Sequence, residues 1–209
     1  YNLKNQKVGY TYTFAKLLTI FCLLIISFSV YSQVKAFPNV QGAGSNVTGG
    51  RGGIVVKVTN LNNSGTGSFR SALMMTEPRI IVFDVSGTIV LTSSIELILE
   101  NSNFTVAGQT APEGGITISN HYIQMGGGYF RPAQSCNNAI WRYIRFRNGR
   151  YNGEPDVREH NGLISTGSDG LIFDHCSFSF CDDQALSLGG DYGKSENMTI
   201  QKSIFSENA

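Results

Sequence analysis

From Gly53 onward the chain alternates short apolar runs with Gly, Asn and Ser. GIVVKVTNL, RIIVFDVSGTIVL, NFTVAG, GITISN, NAIWRYIRFR, GLIFDHCSFSF and NMTIQKSIFSE are rich in β-branched and aromatic residues and end in turn formers, so each reads as strand. SFRSALMM, from Ser68 to Met75, is the one short segment that reads as helix. No long amphipathic helix separates the strand runs, which argues against a doubly wound α/β fold.

Three of the runs superpose. NAIWRYIRF starts at Asn138, GLIFDHCSF at Gly170 and NMTIQKSIF at Asn197, at spacings of 32 and 27 residues. In that register Trp141, Phe173 and Ile200 share one column, Ile144, Cys176 and Ser203 a second, and Phe146, Phe178 and Phe205 a third. Such spacings match one coil of a solenoid plus loops of variable length, and each coil must stack on its neighbours to bury its apolar stripe. An antiparallel sandwich is the rival, but aligned aromatic columns at coil-length spacing favour a parallel β-helix. The same register sets Arg142 beside Asp174 and Gln201. Adjacent strands lie about 4.8 Å apart, so an Arg142–Asp174 ion pair is predicted.

Composition agrees with an all-β chain. Of 209 residues 24 are Gly and only 5 are Pro, and charged residues make up 15% against 41% hydrophobic. A disordered polar tail and a coiled coil are excluded. The formal charge is +1, so no global basic field points to nucleic acid. The charge is nevertheless uneven. Seven basic residues precede the first acid, Glu77, and three of them (Lys4, Lys7, Lys16) precede the apolar run Leu17 to Val30. A positive segment, a short apolar core and small Ser32 predict a secretory leader over residues 1–32, with the domain over 33–209. An uncleaved anchor is the alternative, although the run is shorter than the roughly 20 residues a membrane span needs. Export is therefore expected, to the extracellular space, the periplasm or the cell surface. The chain starts at Tyr1 without Met and stops inside a strand-rich repeat, and is read as the N-terminal part of a longer frame, truncated at its C-terminus.

Past the leader three cysteines remain, Cys136, Cys176 and Cys181. They read as small buried residues, with a Cys176–Cys181 bridge across a turn as the alternative. No CxxC pair or His–Cys cluster suggests zinc. Six arginines and two acids lie between Arg131 and Arg158. Alternation puts Arg145 and Arg147 outward, with Tyr143 and opposite Ile144 and Phe146. That ridge is either a site for uronate carboxylates or a solvated strand face. Asp182 and Asp183 directly follow a core strand, where a groove ligand would project; a solvated loop is the alternative. Asp174-His175 reads as structural.

Three segments carry a family likeness. FPNVQGAGSNVTGGRGGIVVKVTNLNNSGTGSFRSAL resembles the opening of secreted pectate lyases of polysaccharide lyase family 1. PRIIVFDVSGTIVL with NFTVAGQTAPEGGITI is similar to that family's next coils, and NAIWRYIRFR with LIFDHCSFSF and CDDQALS to its calcium-bearing coils. The likeness spans about residues 37–208, and TGGRGG, GSFR, FDVSGTI and AGQTAP in that order are specific to it. It implies a right-handed parallel β-helix that cleaves pectic polymers by β-elimination. That reaction removes a proton alpha to a uronate carboxylate, so a cation or arginines must neutralise the carboxylate. The resemblance implies Ca²⁺, with oxygen donors at Glu159, Asn161, Asp182 and Asp183. Asn161 and Ser187 stand where the family has aspartates, leaving fewer formal charges. The family's catalytic arginine falls on a later coil, beyond Ala209, so the chain alone is expected to be inactive. The implied partner is a pectic polysaccharide, with no nucleic acid, no membrane span after leader cleavage, and a monomeric state. A non-catalytic β-helix that binds polysaccharide or acts as an adhesin is the rival from another class. A pectin hydrolase ranks below both, because its acid and base would have to be paired carboxylates and sequence neighbours in a strand point apart.

Overall fold

A computed structural model describes residues 16–19, 34–126, 134–149, 161–189 and 193–208. The chain divides into two units, Tyr1–Val34 and Lys35–Ala209. In the first, residues 16–19 are helical, and the rest of the expected leader over residues 1–32 lies outside the described residues. Among the described residues no helix is long and apolar enough to cross a membrane.

The second unit is a parallel β-solenoid of about five turns. Sheet A joins β1 (Ile54–Val58), β2 (Arg79–Phe83), β5 (Phe104–Ala107), β8 (Ala139–Arg142), β11 (Asp169–Asp174) and β14 (Glu196–Gln201). Sheet B joins β3 (Gly87–Val90), β6 (Ile116–Ser119), β9 (Ile144–Arg147), β12 (Ser177–Ser179) and β15 (Ile204–Ser206). Sheet C joins β4 (Ile95–Leu97), β7 (Ile123–Met125), β10 (Leu163–Ser165) and β13 (Leu186–Leu188). From β2 to β14 each coil runs A, B, C and returns to A.

Register follows the expected columns. Phe173 pairs with Trp141 and with Ile200, and Phe178 pairs with Phe146 and with Phe205. The first column extends back through Val106, Ile81 and Val56. Because coils repeat at strand spacing, like rings meet face to face. Phe146, Phe178 and Phe205 stack at centroid distances of 4.7 and 4.9 Å, within 6° of parallel. Trp141 meets Phe104, Phe69 and Phe146 edge-on. Offset-stacked and edge-to-face rings are the geometries the ring quadrupole favours.

Each long apolar run breaks into two strands on different sheets, at Tyr143, His175 and Lys202, where φ is +56, +54 and +50. NAIWRYIRFR is therefore β8 plus β9, and alternation does not run through Tyr143. Arg145 and Arg147 still face outward while Ile144 and Phe146 are fully buried. The column of Ile144, Cys176 and Ser203 falls just past these bends, where Cys176 N–H donates to Ser203 Oγ.

In the first coil a helix replaces the B and C strands. Helix α1 (Phe69–Leu73) starts at Ser68, whose hydroxyl accepts the Ser71 N–H, and buries Phe69, Ala72 and Leu73 against the core. Its last carbonyls meet Arg79, which is wholly buried. The guanidinium donates to Ala72 O at 2.8 Å, Glu77 O at 3.0 Å, Asn101 O at 2.9 Å and Ser102 O at 3.2 Å, and to Leu73 O. Five carbonyl dipoles and the face of Phe104, 5.2 Å away, thus surround one buried charge.

Residues 36–50 form a strap across the outer face of sheet A. Val40 and Val47 bury themselves on Ile140 and Ile172. Gly44 N–H donates to Thr199 Oγ1 in β14, and Gly50 N–H to Thr105 Oγ1 three coils earlier. A side chain at Gly50 would put a Cβ 1.8 Å from Arg79 O, so only glycine permits this approach. Asn138, at φ +55, pins the strap: Oδ1 accepts from the N–H groups of Thr48 and Gly49, both at 2.9 Å, and Nδ2 donates to Asn103 Oδ1 at 2.7 Å. Asn138→Ala is expected to lower stability by about 2–4 kcal/mol, from orphaned amides and the left-handed φ together. Asn138→Gly, which relieves φ, should recover only part of that in urea unfolding.

Cys136, Cys176 and Cys181 are all free and buried, so the bridge does not form. Burial pushes the Cys136 and Cys176 thiols up to about 12, which keeps them protonated and unreactive.

Candidate functional site

Sheet B presents the arginine ridge. Arg145 lies in register with Thr117 and Ser177, and Arg147 with Ser119. Arg145 Nε donates to Thr117 Oγ1 at 2.9 Å and its Nη2 to Gly114 O. Arg147 Nη1 donates to Phe146 O at 2.8 Å and Ser177 O at 3.1 Å, and its Nη2 to Ser177 Oγ at 2.9 Å. Both guanidinium groups are therefore held in place on a half-buried face. Burial, and then the neighbouring Arg145 charge, pull the Arg147 pKa below its ordinary value, and Cys181 and Glu207 offset part of this. Two crowded cations on one face favour an anion between or beside them.

The acidic pair leaves the same sheet at its border with sheet C. After β12 the backbone turns at Phe180, φ +61, and Cys181 is buried. Asp182 and Asp183 follow, the first half-buried and the second exposed. The previous coil brings Asn161 to this turn: its Oδ1 accepts the Gln184 N–H at 2.9 Å, while Gly162 N–H donates to Gln184 O. Asn161 is buried, and its own carbonyl accepts from Asn148 Nδ2 at 2.7 Å. Three of the four expected calcium donors thus sit on adjacent coils at one edge, and Glu159 lies outside the described residues. Ca²⁺ takes six to eight oxygens. Asp182 and Asp183 have the right chemistry, but the Asn161 carboxamide oxygen is already engaged. Among the described residues no three His, Cys, Asp or Glu side chains converge as a metal group. The described donors do not by themselves make a calcium site.

On the other border of sheet B, facing sheet A, lies a charge cluster. Asp174 pairs in register with Arg142 and Gln201. Arg142 Nε lies 2.7 Å from Asp174 Oδ2, and Gln201 Nε2 donates to Oδ1 at 2.7 Å. The predicted ion pair is present, and its carboxylate is completely buried. Burial works to raise the Asp174 pKa. The Gln201 hydrogen bond, the close approach of His175 Nδ1, and the Arg142 hydrogen bond and charge outweigh it and hold the carboxyl below its usual value. His175 Nδ1 sits 3.0 Å from Oδ2, but off line for a hydrogen bond as the ring stands. The Arg142 guanidinium lies 4.0 Å over the Phe37 ring of the strap. The sequence did not signal that His175 would stack on Tyr143, at 4.4 Å and 8°. Only the shared left-handed bend in consecutive coils could have suggested it.

With this geometry in place, relatives can be compared. No family model matches the chain. Over 188 residues it is 38% identical to a protein of Aspergillus fumigatus named probable pectate lyase C, covering 88% of this chain and 40% of that one. The Aspergillus oryzae protein of the same name is 40% identical over 189 residues, 90% of this chain and 40% of its own. Probable pectate lyase 18 of Arabidopsis thaliana is 31% identical over 153 residues, 68% of this chain and 36% of its own. The chain spans about two fifths of the length of the curated relatives it matches. Among solved structures, Jun a 1, the major allergen from cedar pollen, superposes with a TM-score of 0.58 at 17% identity, covering 77% of this chain and 47% of the allergen. That likeness shows the shared solenoid fold alone. Across about nine tenths of its length, then, the chain is similar in sequence to proteins named pectate lyases.

Proposed function

We propose that the protein is a secreted polysaccharide lyase that cleaves pectate, homogalacturonan or a related uronic-acid polymer by β-elimination. The observation that carries this reading is the 38–40% identity to proteins named pectate lyases over about nine tenths of the chain. In the reaction the C5 proton of a uronate is removed, a C4–C5 double bond forms, and the bond from C4 to the glycosidic oxygen breaks. The leaving oxygen takes up a proton. Arg145 and Arg147 are the groups proposed to hold uronate carboxylates, through charge-assisted bonds from guanidinium groups already fixed by Thr117 and Ser177. Asp182, Asp183 and Glu159 are the proposed calcium donors, and we assign Asn161 to holding the two coils together at that edge. No described residue is assigned the proton-abstracting role. We propose export after removal of residues 1–32, and action as a monomer.

The full-length gene product, of which these 209 residues are read as the N-terminal part, is incubated with polygalacturonate while ultraviolet absorbance of the unsaturated product is followed, with and without a chelator. Absorbance should rise, and its loss on chelation would tie calcium to the reaction. Folded protein that produces no unsaturated ends would sink the lyase reading. Arg145→Gln with Arg147→Gln should raise KM by about a hundredfold or more, as expected for losing two charge-assisted contacts of about 1.5–3 kcal/mol each. An unchanged KM would remove the ridge from the substrate site.

A further inference from the structure

The bend between sheets A and B carries an incomplete ladder. Register places Ala107, Arg142 and Asp174 side by side in three successive coils. The next residue in each coil is Gly108, Tyr143 and His175. At other left-handed bends Asn is frequent, as at Asn103, Asn120, Asn138 and Asn197, because its side chain tolerates that φ. Tyr143 and His175 instead hold bulky rings there, with φ of +56 and +54. Such backbone outliers concentrate where a side chain is being aimed. His175 covers one face of the Tyr143 ring, 4.4 Å away. In the coil on the other side stands Gly108, where a Cβ would fall 2.5 Å from the carbonyl oxygens of Arg142 and Tyr143. No side chain fits at that position, so the stack ends at Tyr143. Beside it opens a groove of about 330 Å³, lined by Gly108, Pro112, Gly115, Tyr143, Arg145 and His175 among others.

We propose that this groove is a carbohydrate subsite that takes one uronate residue of a pectic chain. The sugar's C–H face would stack on Tyr143, in the step of the ladder that Gly108 leaves open, and its carboxylate would pair with Arg145. Tyr143 is 38% exposed and supplies an apolar platform. Among the described residues Arg145 uses only Nε and Nη2, on Thr117 Oγ1 and Gly114 O, so its orientation is set before a ligand arrives. A volume near the lower end of ligand sites, about 300–1,000 Å³, suits one sugar unit rather than several. The subsite lies across sheet B from Asp182 and Asp183, and serves to anchor the polymer away from those carboxylates. Its ligand class rests on the lyase reading.

Calorimetric titration of the full chain with trigalacturonate tests it, with galactotriose as the neutral control. Tyr143→Asn keeps a side chain suited to the left-handed φ and should weaken trigalacturonate binding at this site about tenfold or more, while Tyr143→Phe stays within about threefold. Arg145→Gln, which leaves the bend untouched, should weaken it similarly. Asp182→Asn with Asp183→Asn should leave the Tyr143-dependent binding in place. Binding by Tyr143→Asn equal to wild type, or galactotriose binding as tightly as trigalacturonate, overturns the proposal. If the full-length gene product binds in this Tyr143-dependent way but forms no unsaturated product from polygalacturonate, the lyase reading fails and the subsite stands.

Discussion

Replacing Arg79 by Met is expected to lower unfolding free energy by about 3–5 kcal/mol, because several buried carbonyls lose their donor together. Five carbonyls lose their donor at once: Ala72, Leu73, Glu77, Asn101 and Ser102. Two of these belong to the last turn of α1, where backbone acceptors have no partner within the helix. An unsatisfied buried group costs about 1–3 kcal/mol, and Met relieves only the desolvation of the charge. That desolvation is real. Burial lowers the Arg79 pKa, with nearby Cys136 and Glu77 offsetting part of it. Arg79→Lys keeps the charge but brings three donors, so at least two carbonyls stay unpaired, and a loss of about 2 kcal/mol or more follows. Urea denaturation measures both variants. A loss below about 1 kcal/mol for Met would mean the carbonyls find water or new partners.

The second large effect is an acid limb set by Asp174. Its pKa is depressed in the native state, whereas the unfolded carboxyl titrates near about 3.9. Below that value the unfolded chain binds the proton first, so protonation favours unfolding. The stabilisation is complete above about pH 4 and is lost as pH falls through the native pKa. Asp174→Asn should remove that part of the acid slope. At neutral pH it should cost about 2–4 kcal/mol, less than a fully buried pair, because Arg142 keeps 21% of its side chain in solvent. Melting temperature measured from pH 2 to pH 7 separates the outcomes. Parallel profiles for wild type and Asp174→Asn would place the acid sensitivity elsewhere.

The two predictions differ in how far the sequence announced them. Arg142 and Asp174 were readable as a pair because aromatic columns aligned three runs, and alignment alone fixes neighbours in a parallel ladder. Arg79 was hidden: inside a strand run an arginine reads as outward. Alternation with Ile81 and Phe83 puts it inward, where the helix end awaits it. The third sheet was also illegible, since Ile95–Leu97, Ile123–Met125, Leu163–Ser165 and Leu186–Leu188 are three-residue strands, too short to show a period. Nor did the sequence show that the long runs bend at Tyr143 and His175, where no Gly or Pro marks a turn. At the candidate site, outward Arg145 and Arg147 followed from alternation. That Asn161 holds Gln184 of the next coil was not legible, because it depends on contact between coils 23 residues apart.

The strap over sheet A changes how such a stack should come apart. Coils that touch only their immediate neighbours can fray from either end, one at a time. Here Gly44 is bonded to Thr199 at a separation of 155 residues, and Asn138 and Thr105 hold the same segment midway. Loosening the coil of β14 must therefore strip a tether that also crosses the earlier ones. Slow-exchanging amides in β14 and β5 should gain protons at similar rates, and proteases should meet a chain that opens as a block rather than by unravelling.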